Sequence, residues 1–220
     1  MRSTGGIVLC GGRSSRMGRP KAWLSVGDEL MLQRVVRVVG EAVGSVVVVA
    51  ADGQDVPELP AGVRVVYEPR PPGSGGAGPL GGLATGLAAL HGECEAAYLS
   101  ACDVPLLRAE FVKRVVETSR EREAAGDAAS APSRSRLTIP RVAGRLHPLA
   151  AVYALDVLPL VLAQLAAGDY RMTRLPELVP TRFLTEADFA DVDPELESLR
   201  NVNTREEYEE LLGERGVSAP

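Results

Sequence analysis

The chain predicts an α/β fold, a mostly parallel sheet with helices on both faces. Strand-like and helix-like stretches alternate along the sequence, the order that builds such a sheet. The strand-like stretches are near-continuous apolar runs, the pattern of parallel strands covered on both sides. The first of them empties into a loop of glycines and cations, which is where an open sheet of this kind takes its ligand. At 220 residues the chain fits one domain and is long enough to bury a real core.

Taken in order, Ile7 to Cys10 is a short apolar run and reads as a buried strand. Met31 to Val43 places Leu32, Val35, Val36 and Val39 at helical spacing, with Gln33, Arg34 and Arg37 outward. Ser45 to Ala51 and Val63 to Tyr67 are Val-rich strands, Leu80 to Leu90 a helix, Ala96 to Ala101 a strand, and Arg108 to Arg122 an amphipathic helix. Leu137 to Arg141 and Leu146 to Val152 read as paired strands around Ala143-Gly144, followed by a helix from about Asp156 to Ala167. Near the end, Thr204 and Glu207 stand at the two positions of a capping box. Two connections exceed a plain turn: Glu68 to Pro79, rich in proline and glycine, and Ala124 to Arg136, rich in alanine and serine.

Net charge is −5 and the pI near 5.2, so extended nucleic acid is not the expected partner. No apolar run approaches the ~20 residues of a membrane span, and Met1-Arg2-Ser3-Thr4 shows no signal-peptide pattern. Cys10, Cys94 and Cys102 have no metal-ligand spacing and read as reduced packing residues of a cytoplasmic protein.

The functional stretch is Ile7 to Lys21, I-V-L-C-G-G-R-S-S-R-M-G-R-P-K. Gly11 and Gly12 let bare amides approach an anion, Arg13, Arg16 and Arg19 offer guanidinium forks, and Lys21 adds a point charge. A strand ending in such a loop is suited to a polyphosphate. It is not a Walker loop, since no Gly-Lys-Ser/Thr occurs. Gly73, Gly75 and Gly78 spell G-x-G-x-x-G, but Glu68-Pro69-Arg70-Pro71-Pro72 separates them from the strand. A dinucleotide fingerprint belongs at the strand-to-helix turn itself. The better reading is a loop closing over a base or ribose, with Gly78 to Gly82 letting the helix start approach a ligand.

Asp103, in C-D-V-P, follows the strand that ends at Ala101 and therefore lies at the ligand edge. It reads as a magnesium carboxylate, because Mg²⁺ takes one or two carboxylates plus phosphate oxygens and water. The competing role is a cap on the following helix. His91 follows a helix and reads as a surface residue, whereas His147, before Pro148, stands either as a substrate contact or as a packed histidine. No serine sits in a nucleophile elbow. Positioning and charge neutralisation without a protein nucleophile suit the transfer of a phosphate-bearing group to a second substrate.

These residues resemble a known family. L-C-G-G-R-S-S-R-M-G-R-P-K is similar to the signature of small-molecule nucleotidyltransferases, L-A-(G/A)-G-x-S-x-R-M-G-x-x-K, and among them to molybdenum cofactor guanylyltransferases. G-P-L-G-G-L at Gly78 to Leu83, C-D-V-P at Cys102 to Pro105, H-P-L at His147 to Leu149 and N-V-N-T at Asn201 to Thr204 follow in order. The resemblance implies a three-layer α/β/α, Rossmann-like nucleotidyltransferase domain over residues 1–220. Its nucleotide-binding half would run to about 107 and its acceptor-side half from about 108. It also implies a Mg²⁺-dependent reaction in which a molybdopterin phosphate attacks the α-phosphorus of GTP and releases pyrophosphate. Leu9, Cys10, Gly11, Gly12 and Arg13 would bind nucleotide, Arg16 and Lys21 would serve catalysis with Asp103, and Asn201, Asn203 and His147 would face the acceptor. Partners would be GTP and molybdopterin, with transient contact to molybdenum cofactor biosynthesis or recipient enzymes, and neither nucleic acid nor membrane.

Two positions depart from the pattern. Glu68 stands where the family often has aspartate and, one methylene longer, would still bind the nucleotide, whereas Ala50 stands where asparagine commonly follows the second strand and would lose a nucleotide contact. The pair Gly11-Gly12 resembles guanylyl enzymes, whereas cytidylyl relatives tend to carry Ala-Gly. Other acceptors (a cytidylyl reaction, a sugar phosphate, a phospholactate) and a non-catalytic nucleotide-binding module remain as alternatives.

Overall fold

Valine-rich strands need cover on both faces, and the architecture supplies it. A computed structural model describes residues 3–11, 20–69, 77–121 and 135–214. Strands β1 (Thr4–Leu9), β2 (Ser25–Val26) and β3 (Glu29–Leu30) lead into helix α1 (Met31–Gly40), then β4 (Val46–Ala51), β5 (Arg64–Glu68), α2 (Gly78–Ala89), β6 (Ala96–Ala101) and α3 (Ala109–Arg120). The second half runs β7 (Leu137–Val142), β8 (Arg145–Leu146), β9 (Ala150–Ala154), α4 (Leu158–Ala166), α5 (Leu175–Leu178), β10 (Thr181–Leu184) and α6 (Arg205–Glu214).

The main sheet has the order β10-β7-β9-β6-β1-β4-β5, with β8 on β7. Pairing is parallel from β6 through β5, β9 runs against its neighbours β6 and β7, β8 runs against β7, and β10 is parallel to β7. One face packs Val8, Val48 and Tyr98 against α1 and α3. The other packs Ile7, Leu9, Val47, Val49 and Leu99 against α2 and Val161 of α4. This is a three-layer α/β/α arrangement with a mostly parallel sheet. α1 buries Met31, Leu32, Val35, Val36, Val38 and Val39, each worth about 1.5–3 kcal/mol when fully buried. The Phe111 and Phe189 rings stack at 4.4 Å and join α3 to the 3-10 turn after β10. Among the described residues no helix is long and apolar enough to cross a membrane.

The expected strand from Leu146 to Val152 is broken. Pro148 has no N–H for a ladder, and the chain turns there, with the His147 N–H on Pro140 O and the Ala150 N–H on His147 O. The short β7–β8 hairpin closes through Ala143 and Gly144, both at positive φ (47° and 74°), as a two-residue primed turn requires. The β2–β3 hairpin and the edge strand β10 have no counterpart in the sequence reading. The stretch 122–134 and the glycines Gly73 and Gly75 lie outside the described residues.

Candidate active site at the C-terminal edge of the sheet

β1, β4, β5 and β6 all end at one edge, because they pair in parallel. Gly11, Glu68 and Asp103 therefore come to that edge from three strands. Asp103 does not cap α3, whose N-cap is Arg108. Its carboxylate is held by side chains from two distant segments. Lys21 Nζ donates to Oδ2 at 2.7 Å and Asn201 Nδ2 to Oδ1 at 3.0 Å. Lys21 Nζ also reaches Asn203 Oδ1 at 2.8 Å. The Lys21 and Asp103 side chains keep 17% and 15% of their exposure, enough for a ligand to touch them and little enough to limit screening.

Local structure explains this convergence. Lys21 opens a 3-10 turn, Lys21–Trp23, directly after Pro20. Val202, buried between the two asparagines, packs with Leu24, Met31, Leu106 and Tyr208. Its N–H donates to Asp103 O at 2.9 Å. With Val202 anchored, Asn201 and Asn203 both reach the lysine–aspartate pair. The expected capping box is present: Thr204 N–H donates to Glu207 Oε2 and Glu207 N–H to Thr204 Oγ1. The Glu207 carboxylate also accepts the Asn203 N–H at 2.6 Å. These backbone donors hold its pKa below the ordinary value. Arg34 Nε donates to Pro105 O at 2.6 Å and fixes the turn after Asp103.

At the end of β1, Leu9 and Cys10 are buried and Gly11 is exposed. Packing does not demand glycine at 11, since an added Cβ would lie 3.4 Å from Ala51 N and farther from other atoms. A side chain there would lie in ordinary contact with the end of β4. α2 behaves differently. A Cβ would meet the Glu68 carboxylate at 2.2 Å from Gly81, Leu9 at 2.8 Å from Gly82 and Ile7 at 2.6 Å from Gly86. Gly81 and Gly82, expected to let a ligand approach the helix start, instead let the sheet and Glu68 approach it. Glu68 sits at the edge against the first turn of α2. Gly12, Arg13 and Arg16 lie outside the described residues.

His147 sits before β9, whose first residue Ala150 pairs with Ser100 near the end of β6, so it shares the sheet edge with Asp103. It is half-buried, and burial, then the nearby Arg145 charge, lower its pKa. No hydrogen bond places it in the Lys21–Asp103 cluster among the described residues. His91 is exposed, as expected. A cavity of about 580 Å³ lies at the opposite edge, beside Thr4, Ala96, Arg120 and Thr138, away from this cluster.

Gln54 was not singled out from the sequence. Its Nε2 donates to Cys10 O at 3.0 Å and to Cys10 Sγ at 3.3 Å, while its Oε1 accepts the Ala51 N–H at 3.2 Å. It ties the end of β4 to Cys10, just past the end of β1. Its only signal is its position after the Asp52-Gly53 turn, where Gly53 takes φ +71°.

A single magnesium carboxylate fits these residues. A carboxylate offers about four lone-pair sites, and Lys21 and Asn201 use one each, leaving hard oxygen donors for a cation. Among the described residues no three acidic, histidine or cysteine side chains form a metal cage.

A lysine, a carboxylate and two carboxamides gathered where a glycine-ended strand leaves a parallel sheet define a nucleotidyltransferase. Residues 6–181 match the family model described as MobA-like NTP transferase domain, and the chain belongs to that family. It is 34% identical over 205 residues to a protein of Mycobacterium marinum named probable molybdenum cofactor guanylyltransferase, covering 92% of this chain and 90% of the other. Molybdopterin-guanine dinucleotide biosynthesis protein A from Archaeoglobus fulgidus shares the fold with a TM-score of 0.71 at 17% identity, over 97% of this chain and 99% of that one. A Mycobacterium tuberculosis protein solved in complex with manganese shares it with a TM-score of 0.60 at 17% identity, over 96% and 98%.

Proposed function

We propose that this enzyme transfers GMP from Mg-GTP to molybdopterin and releases pyrophosphate. The observation that carries the reading is the mutual contact of Lys21, Asp103, Asn201 and Asn203 at the ligand edge. Relatives named as guanylyltransferases support the choice of GTP and molybdopterin.

An oxygen of the acceptor phosphate attacks the α-phosphorus of GTP, the α–β bridging P–O bond breaks, and pyrophosphate leaves. Asp103 would hold the magnesium ion, which when bound would neutralise phosphate charge. Lys21 holds a phosphate oxygen as a mobile cation, with Asp103 and Asn203 keeping the ammonium at the edge. Gly11 and Gly12 bring backbone amides to the nucleotide, Leu9 and Cys10 shape the start of that turn, and Arg13 and Arg16 bind phosphate. Glu68 reaches the nucleoside from the end of β5, and Asn201, Asn203 and His147 face the acceptor. Residues up to about 107 form the nucleotide half and those from about 108 the acceptor half of one domain. The three free cysteines fit a cytoplasmic enzyme that meets other molybdenum cofactor proteins transiently.

The test is pyrophosphate release from Mg-GTP with molybdopterin as acceptor, alongside thermal shifts with each Mg-NTP. GTP should stabilise most and release should require molybdopterin. Preference for CTP would move the reading to a cytidylyl reaction. Binding without turnover would leave only a nucleotide-binding module.

A further inference from the structure

We propose that Cys10 and Cys102 form an oxidative modification site, closing to an intramolecular disulfide that weakens the nucleotide edge. β1 and β6 pair in parallel with Leu9 opposite Ala101. The Cys102 N–H donates to Leu9 O at 2.9 Å and carries the ladder one step further, so Cys10 and Cys102 are the next pair. Both belong to the apolar cluster of Val8 and Tyr98 and therefore lie on one face of the sheet. Each thiol is thus the other's cross-strand neighbour. Neighbouring strands lie about 4.8 Å apart, within the Cα separation that a disulfide spans, ~4.4–6.8 Å. Cys94 packs with the opposite cluster, against Leu90, and serves as an internal control.

Hydrogen peroxide supplies the oxidant. The Cys10 sulfur, which accepts a hydrogen bond from Gln54 Nε2, attacks one peroxide oxygen. An S–O bond forms, the O–O bond breaks and water leaves, giving a sulfenic acid. The Cys102 sulfur then attacks that sulfur, the S–O bond breaks and a second water leaves. Two thiols have lost two protons and two electrons, and the peroxide has become two waters. Cys10 precedes Gly11 and Cys102 precedes Asp103, so drawing the sulfurs to about 2.05 Å displaces both Gly11 and Asp103. This consequence rests on the nucleotidyltransferase reading above, whereas bond formation does not.

The full chain is treated with hydrogen peroxide, alkylated and weighed intact. It is then cleaved at Glu95, which separates Cys94 from Cys102. The expected result is a loss of two hydrogens, one remaining alkylatable thiol at Cys94, and a crosslink between the Cys10 and Cys102 peptides. Cys94→Ser still forms the bond and Cys102→Ser does not. The Kd for Mg-GTP rises about tenfold or more and returns with dithiothreitol. Cys10 and Cys102 remaining alkylatable, or a link involving Cys94, overturns the proposal. A bond that leaves Mg-GTP affinity unchanged overturns its control of the site. Reduced protein that binds no Mg-NTP refutes the guanylyl reading instead, while the mass still decides the thiol chemistry.

Discussion

Lys21 and Asp103 touch, so their substitutions cannot act independently. Lys21→Ala removes the cation proposed to hold a triphosphate oxygen. A hydrogen bond to a charged group is worth about 1.5–3 kcal/mol, so GTP affinity should fall roughly 10- to 150-fold. It also leaves Asp103, whose Oδ2 lies 2.7 Å from Nζ, as an uncompensated carboxylate beside the phosphates. The pair is mostly buried but not dry, which puts the stability cost near 1–2 kcal/mol, and the protein stays folded. Asp103→Ala should then change sign with the metal. Without Mg²⁺ it removes a charge repelling the triphosphate and tightens GTP, above all in the Lys21→Ala background. With Mg²⁺ it removes the cation's protein ligand, weakens Mg-GTP and abolishes turnover. Calorimetric titration of wild type, both single variants and the double variant, with and without Mg²⁺, reads the cycle, and circular dichroism confirms the fold. Coupling should reach about 1 kcal/mol or more. Additivity within about 0.5 kcal/mol, or the same sign with and without metal, would refute a shared phosphate–metal site.

Three further outcomes test the scaffold. Gly86→Ala places a Cβ 2.6 Å from Ile7 Cγ2, so overpacking of about 1–3 kcal/mol outweighs the ~1 kcal/mol gained in helix propensity and Tm falls. Gly213→Ala, in open space on α6, gains that propensity and raises Tm; equal signs for the two would contradict the packing described for α2. Gln54→Leu should raise the KM for nucleotide severalfold with kcat nearly unchanged, because it loosens the start of the loop and touches no reacting atom; a selective loss of kcat would assign it elsewhere. His147 has a folded pKa below its ordinary 6.5 through burial and Arg145. The folded state therefore binds fewer protons, so its contribution is present above about pH 6.5 and lost as pH falls through the folded value. Melting temperatures from about pH 7.5 to 5.5 should fall more for wild type than for His147→Gln, and parallel curves would rule this out.

The central strands were legible because burial on both faces leaves an apolar run that periodicity finds. β10, Thr-Arg-Phe-Leu, was not, since an edge strand four residues long carries no such run and takes its register from β7. The β2–β3 hairpin, two residues a side, is held by tertiary packing around Leu24 and Met31. At the site, Lys21 and Asp103 could be named because their residue types carry chemistry, whereas the asparagine pair was named only through the resemblance of N-V-N-T to the family. Gln54 could not, because its function is to satisfy backbone groups that only the folded chain brings together. The glycines of α2 show the converse limit. A glycine-rich helix start suggests ligand approach, but whether the close neighbour is a phosphate or Leu9 is decided by packing.

The cluster draws on residues 21, 103 and 201–203, and the last group belongs to a small satellite core rather than to the sheet. Val202, Tyr208, Leu211 and Leu212 pack on Leu24, Met31 and Leu106, and Tyr208 Oη donates to Ser25 O at 2.6 Å. This satellite joins the segment carrying Lys21 to the one carrying Asn201 and Asn203, while the Val202 N–H clamps Asp103 from the backbone side. Substructures with fewer buried contacts open at lower free energy than the global fold. Loss of α6 from its seat would thus separate the two asparagines from Lys21 and Asp103 with the sheet intact. Tyr208→Ala should accordingly reduce turnover well before it lowers the main melting transition, and hydrogen exchange should show α6 opening ahead of β1 and β6. If activity and global stability instead fell together, the satellite would be part of the main folding unit, and the C-terminal segment would not set the site independently.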